Sequence, residues 1–154
     1  MAIRYHTEHV SFPPIRKRAT SAWIKSVATS FQRKAGEINY LFCDDEKILE
    51  VNRQYLKHDY YTDIITFDYS DGDTIAGDLV ISLDTVASNA QKYHVDFIVE
   101  LHRVIIHGIL HLCGIEDKGA GQREVMERNE NRALALLFGE KGERQSITEQ
   151  KKEQ

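Results

Sequence analysis

Residues Phe97 to Cys113 read FIVELHRVIIHGILHLC. Ile98, Leu101, Val104, Ile105, Ile109 and Leu112 recur at spacings of three and four, the period of a helix. With the apolar residues between them they cover more than half of the helical circumference, so the helix must be buried on most sides. This predicts a central helix around which the rest of the chain packs. Gly114 follows at once, and a glycine just past the last turn ends a helix by taking a left-handed conformation.

The flanking segments supply the other layers. Thr85–Lys92 keeps a helical pattern, whereas Gly77–Leu83 (GDLVISL) and Asp63–Tyr69 (DIITFDY) are strand-like runs separated by the turn chemistry of SDGD. Asp44 or Asp45 can cap a helix whose stripe is Ile48, Leu49, Asn52, Tyr55 and Leu56. Residues 37–43, EINYLFC, predict a strand. Ile15–Lys34 predicts a helix burying Trp23, Ile24, Val27, Ala28 and Phe31, opened by Pro13 and Pro14 and ended by Gly36. Residues 2–10 predict a short polar strand, and Gln122–Phe138 a last helix carrying Val125, Met126, Leu134 and Leu137. Strands and helices thus alternate as in an α+β fold, with a small mixed sheet of about four strands packed with helices around the central one. Residues 1–139 are expected to form a single domain, and the polar residues 140–154 a flexible tail.

Composition narrows the function classes. With 42% hydrophobic and 29% charged residues the chain is an ordinary globular protein rather than a disordered one. No run approaches the ~20 apolar residues of a membrane span. The N-terminus, MAIRYHTEHV, lacks a secretory pattern. Cys43 and Cys113 are too few for a disulfide framework and are expected to be reduced thiols in a cytoplasmic protein. Net charge is −4, yet through Lys34 seven Lys or Arg face the single acid Glu8. Such a basic segment either attracts a polyanion such as RNA or is a solvated helix face.

The chemistry sits at the end of the central helix. His107 and His111 are four residues apart, so they share a face at a backbone separation of about 6 Å and can converge on one ion. Gly114 lets the chain turn back, and Asp117 can then supply a third ligand from the loop. Glu116 is the alternative third ligand on spacing. Three protein ligands leave a coordination position open, as a catalytic zinc site requires. Cys113, two residues past His111, points elsewhere and reads as a small core residue. His102 lies about 140° around the helix from His107 and should face away. His6, His9, His58 and His94 have no ligand spacing. Zinc peptidases of the His-Glu-x-x-His type use that glutamate as general base; here the position is Gly108, which removes the proton acceptor. A two-histidine-one-carboxylate iron oxygenase shares the ligand types, but its histidines sit on barrel strands. What remains is a metal that activates water and polarises an anionic substrate.

HGILHLCGIED resembles the signature of the YbeY family of bacterial ribosomal-RNA maturation factors, in which His-Gly-x-Leu-His-Leu-x-Gly recurs. Asn52-Arg-Gln-Tyr55, Asp59 and Thr62-Asp63-Ile-Ile-Thr-Phe67 resemble a second block of that family, and Gly77-Asp78-Leu-Val-Ile81 a third. The resemblance runs in the family's order over roughly residues 40–135. It implies a zinc-dependent endoribonuclease directed at single strands, which matures the 3′ end of 16S rRNA in ribosome biogenesis. It also implies one Zn²⁺ per chain, replaceable by other divalent metals, and a short sheet beside the metal-bearing helix. rRNA and ribosomal particles are the implied partners, with no membrane and no small-molecule cofactor. The alternative is a ribosome- or RNA-binding assembly factor whose metal is largely structural.

Two positions depart from the family. Asp117 stands where the third ligand is commonly histidine, which leaves the site one unit less positive. The expectation is a less acidic bound water and an activity optimum at higher pH, so that the pH–rate profile of Asp117→His should move downward. Leu56 stands where the family usually has an arginine facing the cleft. Arg53, three residues earlier on the expected helical face, is the candidate to supply the missing guanidinium.

Overall fold

Four strands make one sheet: β1 (Ile3–Thr7), β2 (Lys34–Cys43), β3 (Ile64–Asp68) and β4 (Thr74–Ser82), in the order β1-β2-β4-β3. β1, β2 and β4 run parallel and β3 returns antiparallel beside β4, so the sheet is mixed. The computed structural model describes residues 2–57 and 62–139. Between β1 and β2 lies α1 (Lys17–Ser30); between β2 and β3 lies α2 (Asp45–Val51), which runs into a π-helical turn at Asn52–Leu56. After β4 come α3 (Leu83–Tyr93), α4 (Phe97–Leu112) and α5 (Gln122–Phe138). This is the α+β fold predicted from the chain. His58, Asp59 and the tail 140–154 lie outside the described residues.

The strands alternate as a two-sided sheet should. Ile38, Tyr40 and Phe42 of β2 are fully buried with Leu79 and Ile81 of β4 in the core that includes α1 and α4. On the opposite face Cys43, Ile65 and Val80 pack with Ile48 and Val51 of α2. α4 is the centre, with eleven of its sixteen residues buried and contacts to β3, β4, α1, α3 and α5. The Tyr40 hydroxyl donates to the Ile105 carbonyl at 2.8 Å, so burying this ring leaves no polar atom unsatisfied.

Gly108 sets how closely α4 approaches the sheet. A Cβ there would collide with Leu79 Cδ2 and stand 3.0 Å from Ile64 Cδ1. Overpacking costs about 1–3 kcal/mol, against a helix-propensity gain for alanine of about 1 kcal/mol. Gly108→Ala is therefore expected to lower the denaturation midpoint. A midpoint at or above that of the wild type would show that Leu79 and Ile64 simply move aside.

Element ends differ from the sequence reading where pairing is non-local. α1 stops at Ser30 rather than Lys34: Gln32 is left-handed (φ 57°) and the Arg33 N–H donates back to Ala28. Lys34 then pairs with Thr74, so Gly36 lies inside β2 instead of ending the helix. β4 begins at Thr74 because Asp71 and Thr74 already pair across the turn. Asp44, not Asp45, caps α2, accepting from the Lys47 N–H at 2.8 Å.

Candidate metal centre

α4 ends in a tight reversal. Gly114 has φ 97°, its N–H donates to the His111 carbonyl at 2.9 Å, and the Ile115 N–H donates to the Leu110 carbonyl at 3.0 Å. This pair of bonds is the Schellman motif, and it turns the following loop back past the last helical turn. The His107 and His111 rings stand 4.8 Å apart, nearly perpendicular. Asp117 closes the third side, with Oδ2 3.2 Å from His107 Nε2 and Oδ1 3.5 Å from His111 Nε2. One donor atom from each residue lies within 4.8 Å of the others. The three side chains are 21%, 26% and 24% exposed, so the group is open to the cleft. Glu116 lines the same cleft but does not join this group.

The donor set fits a divalent cation. Asp117 Oδ1 is buried with no hydrogen-bond partner among the described residues. Buried polar atoms are rarely left unpaired, and an ion shared with the two imidazoles would satisfy it. Two histidine nitrogens and a carboxylate oxygen form a three-ligand zinc set that keeps a position open.

A buried network orients the first histidine. His107 Nδ1 donates to Glu130 Oε2 at 2.7 Å, which leaves Nε2 of the neutral ring as the free lone pair. Glu130 Oε1 accepts from Arg103 at 2.9 Å, and Arg103 donates again to Asn131 Oδ1 at 2.7 Å. Burial alone would lower the His107 pKa, but the hydrogen bond and charge of Glu130 outweigh it and raise the pKa, with Asp63 and Asp117 adding. Burial works to raise the Glu130 pKa, yet the bond to His107 and the charge of Arg103 hold it below the usual range. Asp63 is pushed up by burial, partly offset by the charge of His107. The sequence reading missed Glu130 and Arg103. The available signal was Glu100 and Arg103, the two charged residues besides the histidines on a largely apolar helix, and Glu130 four residues after the buried Met126.

Two cavities meet at His107 and Asp117. One, about 470 Å³, is bounded by the π-helical turn, β3 and the loop after α4, and includes Asn52, Leu56, His111 and Lys118. The other, about 240 Å³, lies between α3, α4 and α5. Residues of the basic α1 line neither.

The family model described as endoribonuclease YbeY matches residues 3–137. This chain belongs to the YbeY family. The endoribonuclease YbeY of Parabacteroides distasonis is 66% identical over 137 residues, covering 89% of this chain and 96% of its own length. That of Bacteroides thetaiotaomicron is 65% identical over 136 residues, covering 88% and 99%. The solution structure of a Thermotoga maritima protein shares the fold, with a TM-score of 0.64 at 22% identity over 95% of this chain and 98% of that one.

Leu56 and Arg53 are placed differently. Leu56, 40% exposed, lines the cleft beside His107 and His111. Arg53 does not reach it; it lines a separate groove with Glu46, Leu49, Glu50 and Gln54. The expected shared face fails because Asn52–Leu56 is a π-helical turn. Its i→i+5 bonding widens the turn, so residues three apart point to different sides and Asn52 joins Leu56 at the cleft instead. Arg53, the candidate for the missing guanidinium, thus lines that groove rather than the cleft, where Lys118 is the Lys or Arg found among the described residues.

The structure agrees with the expectations for His102 and Cys113. His102 faces away, buried against Trp23 and Phe138, with Nδ1 donating to the Ile98 carbonyl at 2.7 Å. Cys113 is a core residue whose thiol burial pushes up to about 11. Among the described residues no helix is long and apolar enough to cross a membrane.

Proposed function

We propose that this protein is a zinc-dependent endoribonuclease that cleaves single-stranded rRNA precursors, maturing the 3′ end of 16S rRNA in the cytoplasm. Residues 1–139 act as one catalytic domain, His107, His111 and Asp117 hold one divalent ion, and rRNA within ribosomal particles is the substrate. The observation that carries this reading is the Asp117 carboxylate facing two imidazoles beside an open cleft, its Oδ1 without a hydrogen-bond partner among the described residues, in a chain of the YbeY family.

The bound ion would supply Lewis acidity toward a phosphoryl oxygen and an activated water. The chain's own residues prepare the site. Glu130 holds the proton on His107 Nδ1, which fixes the ring and reserves Nε2 for the ion. Lys118 offers the RNA backbone a cation at the cleft. Gly108 faces Leu79 and Ile64, so a peptidase-type glutamate has no room there.

The test is metal content by mass spectrometry together with cleavage of single-stranded RNA. About one metal per chain is expected, lost in Asp117→Ala and kept in Glu116→Ala, with cleavage following the metal. A folded, metal-free wild type overturns the reading. The second reading, a ribosome- or RNA-binding assembly factor with a structural metal, is favoured by the apolar Leu56 in the cleft. It prevails if the metal-loaded wild type binds ribosomal RNA without cutting it.

A further inference from the structure

We propose that the cavity between α3, α4 and α5 is a subsite for one unstacked nucleobase of the RNA, beside the scissile phosphate; this rests on the endoribonuclease reading above. The cavity shares His107 and Asp117 with the cleft, so a nucleotide whose phosphate lies at the metal group has its base within reach of it. Its volume of about 240 Å³ is below the ~300–1,000 Å³ of pockets for drug-sized ligands. That suits one ring system and not a base pair.

The lining matches a base rather than a phosphate. Val104 and Met126, both buried, supply apolar surface, and Tyr93 supplies an aromatic ring. Asn89 and Glu127 offer the amide and carboxylate groups that hydrogen-bond base edges. Asp63, Glu100, Asp117, Glu127 and Glu130 outnumber the lining arginines and make the walls acidic; Arg103 is already engaged by Glu130 and Asn131, and Arg123 is the other lining cation. A phosphate is repelled there, whereas an uncharged base with amino and imino donors is not. The acidity does not signal a second cation site: among the described residues, only His107, His111 and Asp117 bring three metal-donor side chains together. Occupancy needs a base free of its stack, which selects single-stranded RNA.

The test uses metal-loaded protein and single-stranded RNA hexamers carrying one abasic ribose at each position in turn. Binding is read by fluorescence anisotropy and cleavage by gel. An abasic residue at one position should weaken wild-type binding about 10-fold, the scale of one stacked base. Asn89→Phe, which fills the cavity, should bind intact and abasic hexamers equally, at the weaker level and with unchanged metal content. Glu127→Gln keeps the shape and should alter the preference among A, C, G and U at that position. Uniform wild-type binding to all hexamers, or discrimination retained in Asn89→Phe, overturns the base subsite. Discrimination in binding without any cleavage would support the subsite and remove the endoribonuclease reading. Absence of RNA binding removes both.

Discussion

Glu130→Ala is expected to unfold at markedly lower denaturant and to bind Zn²⁺ about 10–100-fold more weakly, the usual consequence of losing a partner behind a metal-ligating histidine. The stability loss follows from what remains. Arg103 and Glu130 are buried, with side chains 3% and 8% exposed, and their bond is 2.9 Å long. Removing one member of such a pair leaves an uncompensated charge and costs about 3–5 kcal/mol. Asn131 still accepts from Arg103, and Glu100 stands 4.0 Å from its Nε, so the lower end of that range is expected. Set against a typical domain stability of about 5–15 kcal/mol, even that is a large share.

Glu130→Gln separates the two effects. Each carboxylate oxygen of Glu130 has its own donor, Oε1 from Arg103 and Oε2 from His107. A glutamine has one accepting oxygen, and its amide nitrogen only donates. Either Arg103 or His107 must therefore lose its acceptor, although the volume is unchanged. Glu130→Gln should recover part of the stability while Zn²⁺ affinity stays weakened. Chemical denaturation of the metal-free protein, with competition against a chromophoric chelator, reads both quantities. Wild-type values for Glu130→Ala in both would show that the network neither holds the fold nor positions His107.

Why this network escaped the sequence reading, while its neighbours did not, is a matter of range. α4 was legible because its apolar period is local and its end is written in Gly114, and the three candidate ligands all fall within that one segment. The Glu130 partnership depends on how α5 crosses α4, which no local pattern encodes. Lys34 and Gly36 were read as a helix end because their strand partners lie about Thr74, far along the chain. Arg53 failed for a subtler reason. The stripe Ile48, Leu49, Asn52, Tyr55 and Leu56 has a good α-helical period, yet the backbone takes a π-helical turn at Asn52–Leu56. Tyr55 consequently packs edge-on against Phe67 at 5.8 Å and is 61% exposed, while Asn52 is buried at the cleft. π-Helical turns recur at functional sites, and here one decides which side chains meet the metal group.

Metal binding and the stability of the metal-free protein are expected to move in opposite directions with pH. Asp63, Asp117 and Glu130 all act on His107, and together they raise its pKa above 6.5 despite burial. In the metal-free protein a raised histidine stabilises the fold below its unfolded value, and that contribution is lost as pH rises through the folded value. Asp63, raised from 3.8, has the same sign in the acid range. Glu130, lowered from 4.5, has the opposite sign: its contribution is present above 4.5 and lost as pH falls through the folded value. The His107–Glu130 pair therefore helps the metal-free fold most between the unfolded values of 4.5 and 6.5. A metal needs His107 neutral, so its affinity falls as pH drops through the raised value, by about tenfold per unit for each proton displaced. The gap in Tm between metal-loaded and metal-free protein should widen from about pH 6 to about pH 8, since bound metal stabilises in proportion to the logarithm of its affinity. In Glu130→Gln the largest charge holding His107 protonated is gone, and the onset of the gap should shift to lower pH. A gap that is the same at both pH values would mean that His107 is not a ligand, because an ion bound through its Nε2 must displace the proton that the raised value holds there.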